Sequence, residues 1–205
     1  MSYLLGVRWE RFFQDLEDQL AAEWDAERAA LDSESERLRI AGLTLRDRLR
    51  ALSGGGAVAL ELEDGSRHDA AIAAVGGDWL AARPRAAPGG MLLVPLRAVR
   101  LVGAAEPELL RSARAGGDRD RLAERITFGF ALRDLSRRRV PVTIGVHGGR
   151  TTTGTLDRVG ADHLDLALHA LDAPRRSAEV AGFRMLPLAA VAWVRADADA
   201  VAVLP

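Results

Sequence analysis

The chain carries one pattern twice, and this repeat limits its fold more than any other feature. Residues 58–80 (VALELEDGSRHDAAIAAVGGDWL) align with residues 142–164 (VTIGVHGGRTTTGTLDRVGADHL) at an offset of 84. Identities fall at Val58/Val142, Gly65/Gly149, Val75/Val159, Gly76/Gly160, Asp78/Asp162 and Leu80/Leu164. Farther on, VPLRAVRLV (94–102) answers LPLAAVAWV (186–194) at an offset of 92, so an eight-residue insertion lies between Leu164 and Pro187. Upstream, LRALS (49–53) answers LRDLS (132–136) at an offset of 83. A repeat of this length points to two copies of one structural unit.

Each copy reads as a set of short strands. Val58, Leu60 and Leu62 alternate with Ala59, Glu61 and Glu63, the period of a strand with one buried face. Asp64-Gly65 and Gly148-Gly149 supply tight hairpins, since glycine accepts positive φ at little cost. Second strands follow through Ile72 and Val75, and through Leu156 and Val159, each ending at a glycine kink. Pro95 and Pro187 mark the junction between the last two strands of each copy, where no ladder N–H is needed. Five short strands in some 45–55 residues are too few for a sandwich and enough for a small bent barrel. The two units are expected to sit side by side, edge strand to edge strand, with the apolar tail Val201–Leu204 available to cover an edge.

Helices are expected before both strand sets. Trp9, Phe13, Leu16, Leu20, Trp24 and Leu31 form an apolar stripe at helical spacing. Ser33 with Glu36 has the form of a capping box for a second helix running to Leu52; the alternative is one unbroken helix over about residues 8–52. Asp118–Arg138 lacks proline and spaces Leu122, Ile126 and Phe130 helically. The expected fold class is α+β, with two duplicated five-stranded small β-barrels (Sm/SH3-like), each preceded by a helix, plus an N-terminal amphipathic helix. The expected divisions are an N-terminal helical region 1–53, a first barrel 54–104, a connecting helical segment 105–139, a second barrel 140–196 and a tail 197–205.

Residues 142–159, V-x-I-x-V-x-G-G-x-x-x-x-G-x-L-x-x-V after a helix, resemble the first motif of the Sm-like (LSm) small barrels. In the first copy the second motif glycine is Ala70. The resemblance implies a helix on a five-stranded bent barrel, with RNA binding and ring assembly as the family's common behaviours. The family's base-contacting Asp and Asn have no counterpart in V-G-A-D-H-L-D (159–165), and its Arg-Gly pair is replaced by Pro95-Leu96 and Pro187-Leu188. The family's RNA-reading residues therefore do not carry over. The V-G-x-D-x-L and V/L-P-L-x-A-V patterns are also similar to PRC-type barrels, which are often interaction modules.

Among 205 residues there is no cysteine, which removes disulfides and thiolate chemistry. All 28 basic residues are arginine, and lysine and asparagine are absent, a composition pointing to a high-GC bacterial genome. Arginine abundance therefore says less about phosphate binding than it would elsewhere. The net charge of −1 gives no overall attraction to nucleic acid or anionic lipid. No apolar run reaches the roughly 20 residues of a membrane span, so the expected location is cytoplasmic.

The candidate residues fall into three groups. Asp78-Trp79 and Asp162-His163 follow the glycine kinks, where a ring beside a carboxylate can stack on a base or ligand; the competing reading is a turn aspartate with a packed ring. Arg133, Arg137, Arg138 and Arg139 form a candidate phosphate patch, or a solvated helix end. Trp9, Phe13, Leu16, Leu20 and Trp24 form a candidate partner face on a segment (8–39) with ten acids and five arginines. His147, His163 and His169 match no metal-ligand spacing and read as surface or rim residues. No catalytic motif stands out, and no cofactor or metal is expected. The expected function is a non-enzymatic cytoplasmic interaction or scaffold protein that binds a protein partner or itself. The alternative is an LSm-like RNA-binding or regulatory protein, and a weaker third reading is a ligand-holding barrel with the insertion as a lid.

Overall fold

The computed structural model describes residues 3–86, 89–114, 125–170 and 180–201, with the side chains of 3–13 and 15 outside that description. The chain divides into two compact units, Met1–Leu43 and Thr44–Pro205.

The first unit is one helix, α1 (Tyr3–Ala41), of 39 residues. At about 1.5 Å per residue it is roughly 58 Å long. No proline interrupts it, and ion pairs one turn apart, Arg28–Asp25, Arg37–Glu34 and Arg39–Glu36, line its surface. Ser33 and Glu36 lie inside this helix, so neither the expected cap at Ser33 nor an unbroken helix to residue 52 is present. The break comes at Gly42, whose N–H bonds back to Leu38 O at 3.1 Å. The capping box lies eleven residues beyond Ser33: Thr44 Oγ1 accepts from Asp47 N at 3.1 Å, and Asp47 Oδ2 accepts from Thr44 N at 3.2 Å. It opens α2 (Leu45–Leu52). Aspartate closes this box as glutamate would, because both present a carboxylate to the cap N–H.

In the second unit, α2 leads into β1 (Val58–Leu62), β2 (Arg67–Val75), β3 (Trp79–Pro84), β4 (Gly90–Pro95) and β5 (Val99–Gly103). Then come α3 (Glu106–Arg114) and α4 (Phe128–Arg137). The second copy follows as β6 (Pro141–Val146), β7 (Arg150–Val159), β8 (His163–Leu168), β9 (Gly182–Pro187) and β10 (Val191–Asp197), closed by α5 (Ala198–Val201). Helix α4 begins at Phe128 with Thr127 as its cap; residues 118–124 of the expected helix lie outside the described ones. Thr127 stands where Thr44 stands in the first copy, at the same offset of 83.

The repeat is visible in the geometry. Both hairpins turn through glycines at positive φ, Gly65 at 83° and Gly149 at 75°. The ladder slips between Ile72 and Ala74 and, at the corresponding place, between Leu156 and Arg158. Such bulges bend a sheet and increase its twist. In both copies a 3-10 turn, Leu96–Ala98 or Leu188–Ala190, follows the proline and redirects the chain. The β8–β9 connection is eight residues longer than β3–β4, where the change of offset places the insertion.

The two closed five-stranded barrels are not present. All ten strands form one antiparallel sheet in the order β5-β1-β2-β3-β4-β10-β6-β7-β8-β9. Closing either barrel would require the last two strands of a copy to pair with each other. Instead β5 pairs with β1, and β4 gives its free edge to β10 of the other copy, with Leu93 opposite Val194 and Leu92 opposite Arg195. Pairing between copies satisfies the backbone groups that closure within each copy would have satisfied.

Burial follows the same exchange. Met91 and Leu93 of β4 belong to a core made mainly of second-copy residues, including Ile144, Leu156, Leu164 and the α4 side chains Phe128, Leu132 and Leu135. Ala192 and Trp193 of β10 belong to the first-copy core of Leu49, Leu60, Ile72 and Leu80. Replacing Thr44 by Ala should lower the stability of the sheet unit by about 1 kcal/mol. Ser33→Ala should leave it within about 0.5 kcal/mol, and denaturation followed by circular dichroism separates the two.

Candidate functional site at the seam between the copies

The two β-turns after the glycine kinks are built alike. Gly76 N donates to Trp79 O at 2.9 Å and Gly160 N to His163 O at 2.8 Å; Leu96 N donates to Asp78 O at 2.8 Å and Leu188 N to Asp162 O at 2.7 Å. A Cβ at Gly76 would collide with the Trp79 indole, and one at Gly160 would crowd the His163 imidazole, so glycine makes room for the ring in both turns.

The side chains then diverge. Trp79 is 3% exposed and its Nε1 donates to Ile126 O at 2.9 Å, while Asp78 Oδ1 accepts from Phe128 N at 2.6 Å. This pair anchors the start of α4 to the first copy. Asp162 is exposed, and its Oδ1 lies 2.8 Å from His163 Nδ1. The hydrogen bond and the charge of His163 hold the Asp162 carboxyl below its ordinary value.

Asp78 also lines a cavity of about 360 Å³ with Arg97, Thr127, Phe128, Arg133 and Leu188. Arg97 spans the seam: its guanidinium donates to Val191 O at 3.3 Å and to Leu188 O. Burial lowers the Arg97 pKa, against the opposing pull of Glu63 and Asp78. The four clustered arginines have different partners. Arg133 lines the cavity, Arg137 and Arg138 both bind Asp134, and Arg139 (φ 56°) reaches Asp157 at 2.8 Å.

A second polar group surrounds the first hairpin. Asp64 Oδ2 accepts from Trp193 Nε1 at 2.8 Å, and Asp64 Oδ1 accepts from Ser66 N and Oγ at 3.0 and 2.6 Å. The His68 ring meets Trp193 edge-on with centroids 5.7 Å apart, and His147 Nε2 lies 3.1 Å from Glu63 Oε2. Burial raises the Asp64 pKa, but its donors Ser66 and Trp193 and the nearby His68 together bring it below the ordinary carboxylate value. Burial depresses His68, Asp64 opposes this, and Arg195 adds to it.

No family model, curated protein or solved structure matches this chain. Ser66 Oγ lies 3.0 Å from His68 Nε2, but the carboxylate sits on the serine hydroxyl and not on the far imidazole nitrogen. A nucleophilic relay needs the reverse order, with the carboxylate orienting the base. The arrangement ties copies together.

His169, expected at the surface or rim, is buried at 5% exposure. Its Nδ1 lies 2.7 Å from Ala170 O and its Nε2 2.7 Å from Thr155 Oγ1, so both ring nitrogens are satisfied. No group of three or more His, Asp or Glu side chains suited to a metal occurs among the described residues. None of the described helices is long and apolar enough to cross a membrane.

Of the partner-helix face, Leu16, Leu20 and Trp24 are exposed on α1, as are Leu31 and Leu38. The side chains of Trp9 and Phe13 lie outside the described residues. Sequence reasoning missed Asp64, Arg97 and Trp193 as seam residues. Asp64 carried a signal only as a hairpin residue, and its indole partner is 129 positions away.

Because the fold lowers the His68 pKa, it favours the neutral ring. That contribution is complete above the ordinary value of about 6.5 and is lost as pH falls below it. His68→Gln should therefore show a smaller loss of stability than the wild type between about pH 7 and pH 5, as read from denaturation midpoints.

Proposed function

We propose that this chain is a non-enzymatic interaction protein, in which a long acidic helix and a duplicated sheet present surfaces for protein partners or further copies. The exposed apolar row on α1 carries this reading: Trp24, Leu31 and Leu38 recur every seven residues, continuing Leu16 and Leu20, and Trp24 is 61% exposed. Large apolar side chains repeated along one helical track are the feature a partner helix or groove reads. The surrounding acids favour a partner with basic residues beside an apolar strip.

RNA binding is the second reading, resting on the Sm-like first motif and the arginine cluster. It is the weaker one, because Asp134, shared by Arg137 and Arg138, and Asp157, paired with Arg139, already offset two of the four positive charges. Its test is affinity for single-stranded RNA at low salt, where phosphate contacts are strongest; affinity weaker than about 10 µM rejects it.

Copurification from the source lysate with and without ribonuclease tests the leading reading. Specific proteins should be retained regardless of ribonuclease, and Trp24→Glu with Leu31→Glu should reduce their recovery at least tenfold while leaving the melting of the sheet unit unchanged. Equal recovery with the variant removes α1 as the binding element.

A further inference from the structure

We infer that the second copy carries a pocket for a small aromatic carboxylate, at the place where the first copy receives the Trp193 indole. The inference goes beyond the partner surface on α1 and stands on different residues.

The duplication shows what this place holds. In the first copy the inner face between the β1–β2 hairpin and β4 is closed by an indole that comes from outside the copy. Trp193 of β10 shares a core with Leu62, Leu92 and Val94. Its Nε1 donates to Asp64 Oδ2 at 2.8 Å, and the His68 ring meets it edge-on. The Arg195 guanidinium stands over its face, 6.0 Å from the ring centroid. Under this cover Leu62, Leu92 and Val94 are no more than 3% exposed.

The second copy repeats the frame. Ladder pairing fixes the equivalences: Ala82 faces Leu92 as Leu166 faces Arg184, and Leu80 faces Val94 as Leu164 faces Leu186. Val146, Arg150 and Thr152 stand where Leu62, Ser66 and His68 stand, at the offset of 84. Here a cavity of about 430 Å³ opens between Val146, Arg150, Thr152, Leu168, Arg184 and Leu186. Val146, Leu168 and Leu186 pack against the core and stay partly exposed, an apolar floor like the one the indole covers in the first copy. A concave site of this size, with an apolar floor and a few convergent polar groups, has the form of a small-ligand pocket.

The polar groups are reversed, and this selects the ligand. In the first copy an acceptor, the Asp64 carboxylate, receives the N–H of the ring. Gly148 takes the place of Asp64 and brings no acceptor side chain. Arg150 replaces Ser66 and Arg184 replaces Leu92, so two guanidinium groups enter the lining and no carboxylate does. Among the described residues neither arginine is paired with an acid, and Arg184 Nη1 donates only to Phe183 O, at 2.9 Å. The guanidinium fork matches a carboxylate, and such charge-assisted hydrogen bonds are about twice as strong as neutral ones. Its flat face also stacks on an aromatic ring, as Arg195 does on Trp193. A ring for the floor and an anionic acceptor at its edge together meet every group in the lining.

Indole-3-propionate joins the ring held in the first copy to a carboxylate. Isothermal titration of the full chain with it should give a Kd tighter than about 1 mM. Tryptamine, the same ring with an ammonium group, and 3-methylindole, with no charge, should each bind about tenfold more weakly or less. Arg150→Gln/Arg184→Gln should weaken indole-3-propionate by about tenfold or more with an unchanged circular dichroism spectrum, while Arg114→Gln on α3 should leave the Kd as it is. If the double variant does not fold, Arg184→Leu, which installs the first-copy residue, should still weaken binding. Absence of binding tighter than about 1 mM, equal binding of tryptamine or 3-methylindole, or a Kd that the arginine variants leave undiminished would each overturn the pocket. Tighter binding of phenyl phosphate, or of a peptide ending in tryptophan, would overturn its assignment to a free aromatic carboxylate.

Discussion

Everything in the sheet unit depends on the antiparallel pairing of β4 with β10. Each is an end strand of its own copy, and an end strand leaves a row of backbone donors and acceptors unsatisfied. Pairing them converts two five-stranded pieces into one ten-stranded sheet. It also carries Met91 and Leu93 into one core and Trp193 into the other. The hydrogen bonds of Arg97 to Leu188 and Val191, and of Trp193 to Asp64, gather at this seam because the paired strands bring the connections after Pro95 and Pro187 and the first hairpin together.

Local patterning reached much of this architecture. Alternation located Val58–Leu62, Asp64-Gly65 and Gly148-Gly149 located the hairpins, and Pro95 and Pro187 located the ends of β4 and β9. All are short-range effects, determined by residues within a few positions of one another. What failed was closure. The same hydrophobic alternation serves a strand whose neighbour is the first strand of its own copy or the last strand of the other, so periodicity does not choose between a barrel and a shared sheet.

The helix errors have an equally physical origin. Ser33-x-x-Glu36 and Thr44-x-x-Asp47 both satisfy the pattern of a capping box, but a cap forms only where the backbone leaves the helix. Gly42 lies just before Thr44 and ends α1 there, while the segment around Ser33 holds strong helix formers, with the ion pair Arg28–Asp25 before it and Arg37–Glu34 and Arg39–Glu36 after it. Among the site residues, Asp78 and Trp79 are fastened to α4, and Asp162 with His163 stays near the solvent. Identical turn backbones thus support a buried anchor in one copy and an exposed pair in the other. The difference lies in what packs against each turn, which is tertiary information.

The exchange of side chains across the seam has a consequence for folding. A copy isolated from its twin would lose the strand beside its own exposed edge and also part of its interior, since Trp193 completes one core and Met91 and Leu93 complete the other. The two repeats are accordingly coupled into one cooperative transition, unlike repeats that merely touch and can melt one at a time. The halves are recognisable as copies, and each has its core completed by side chains of the other.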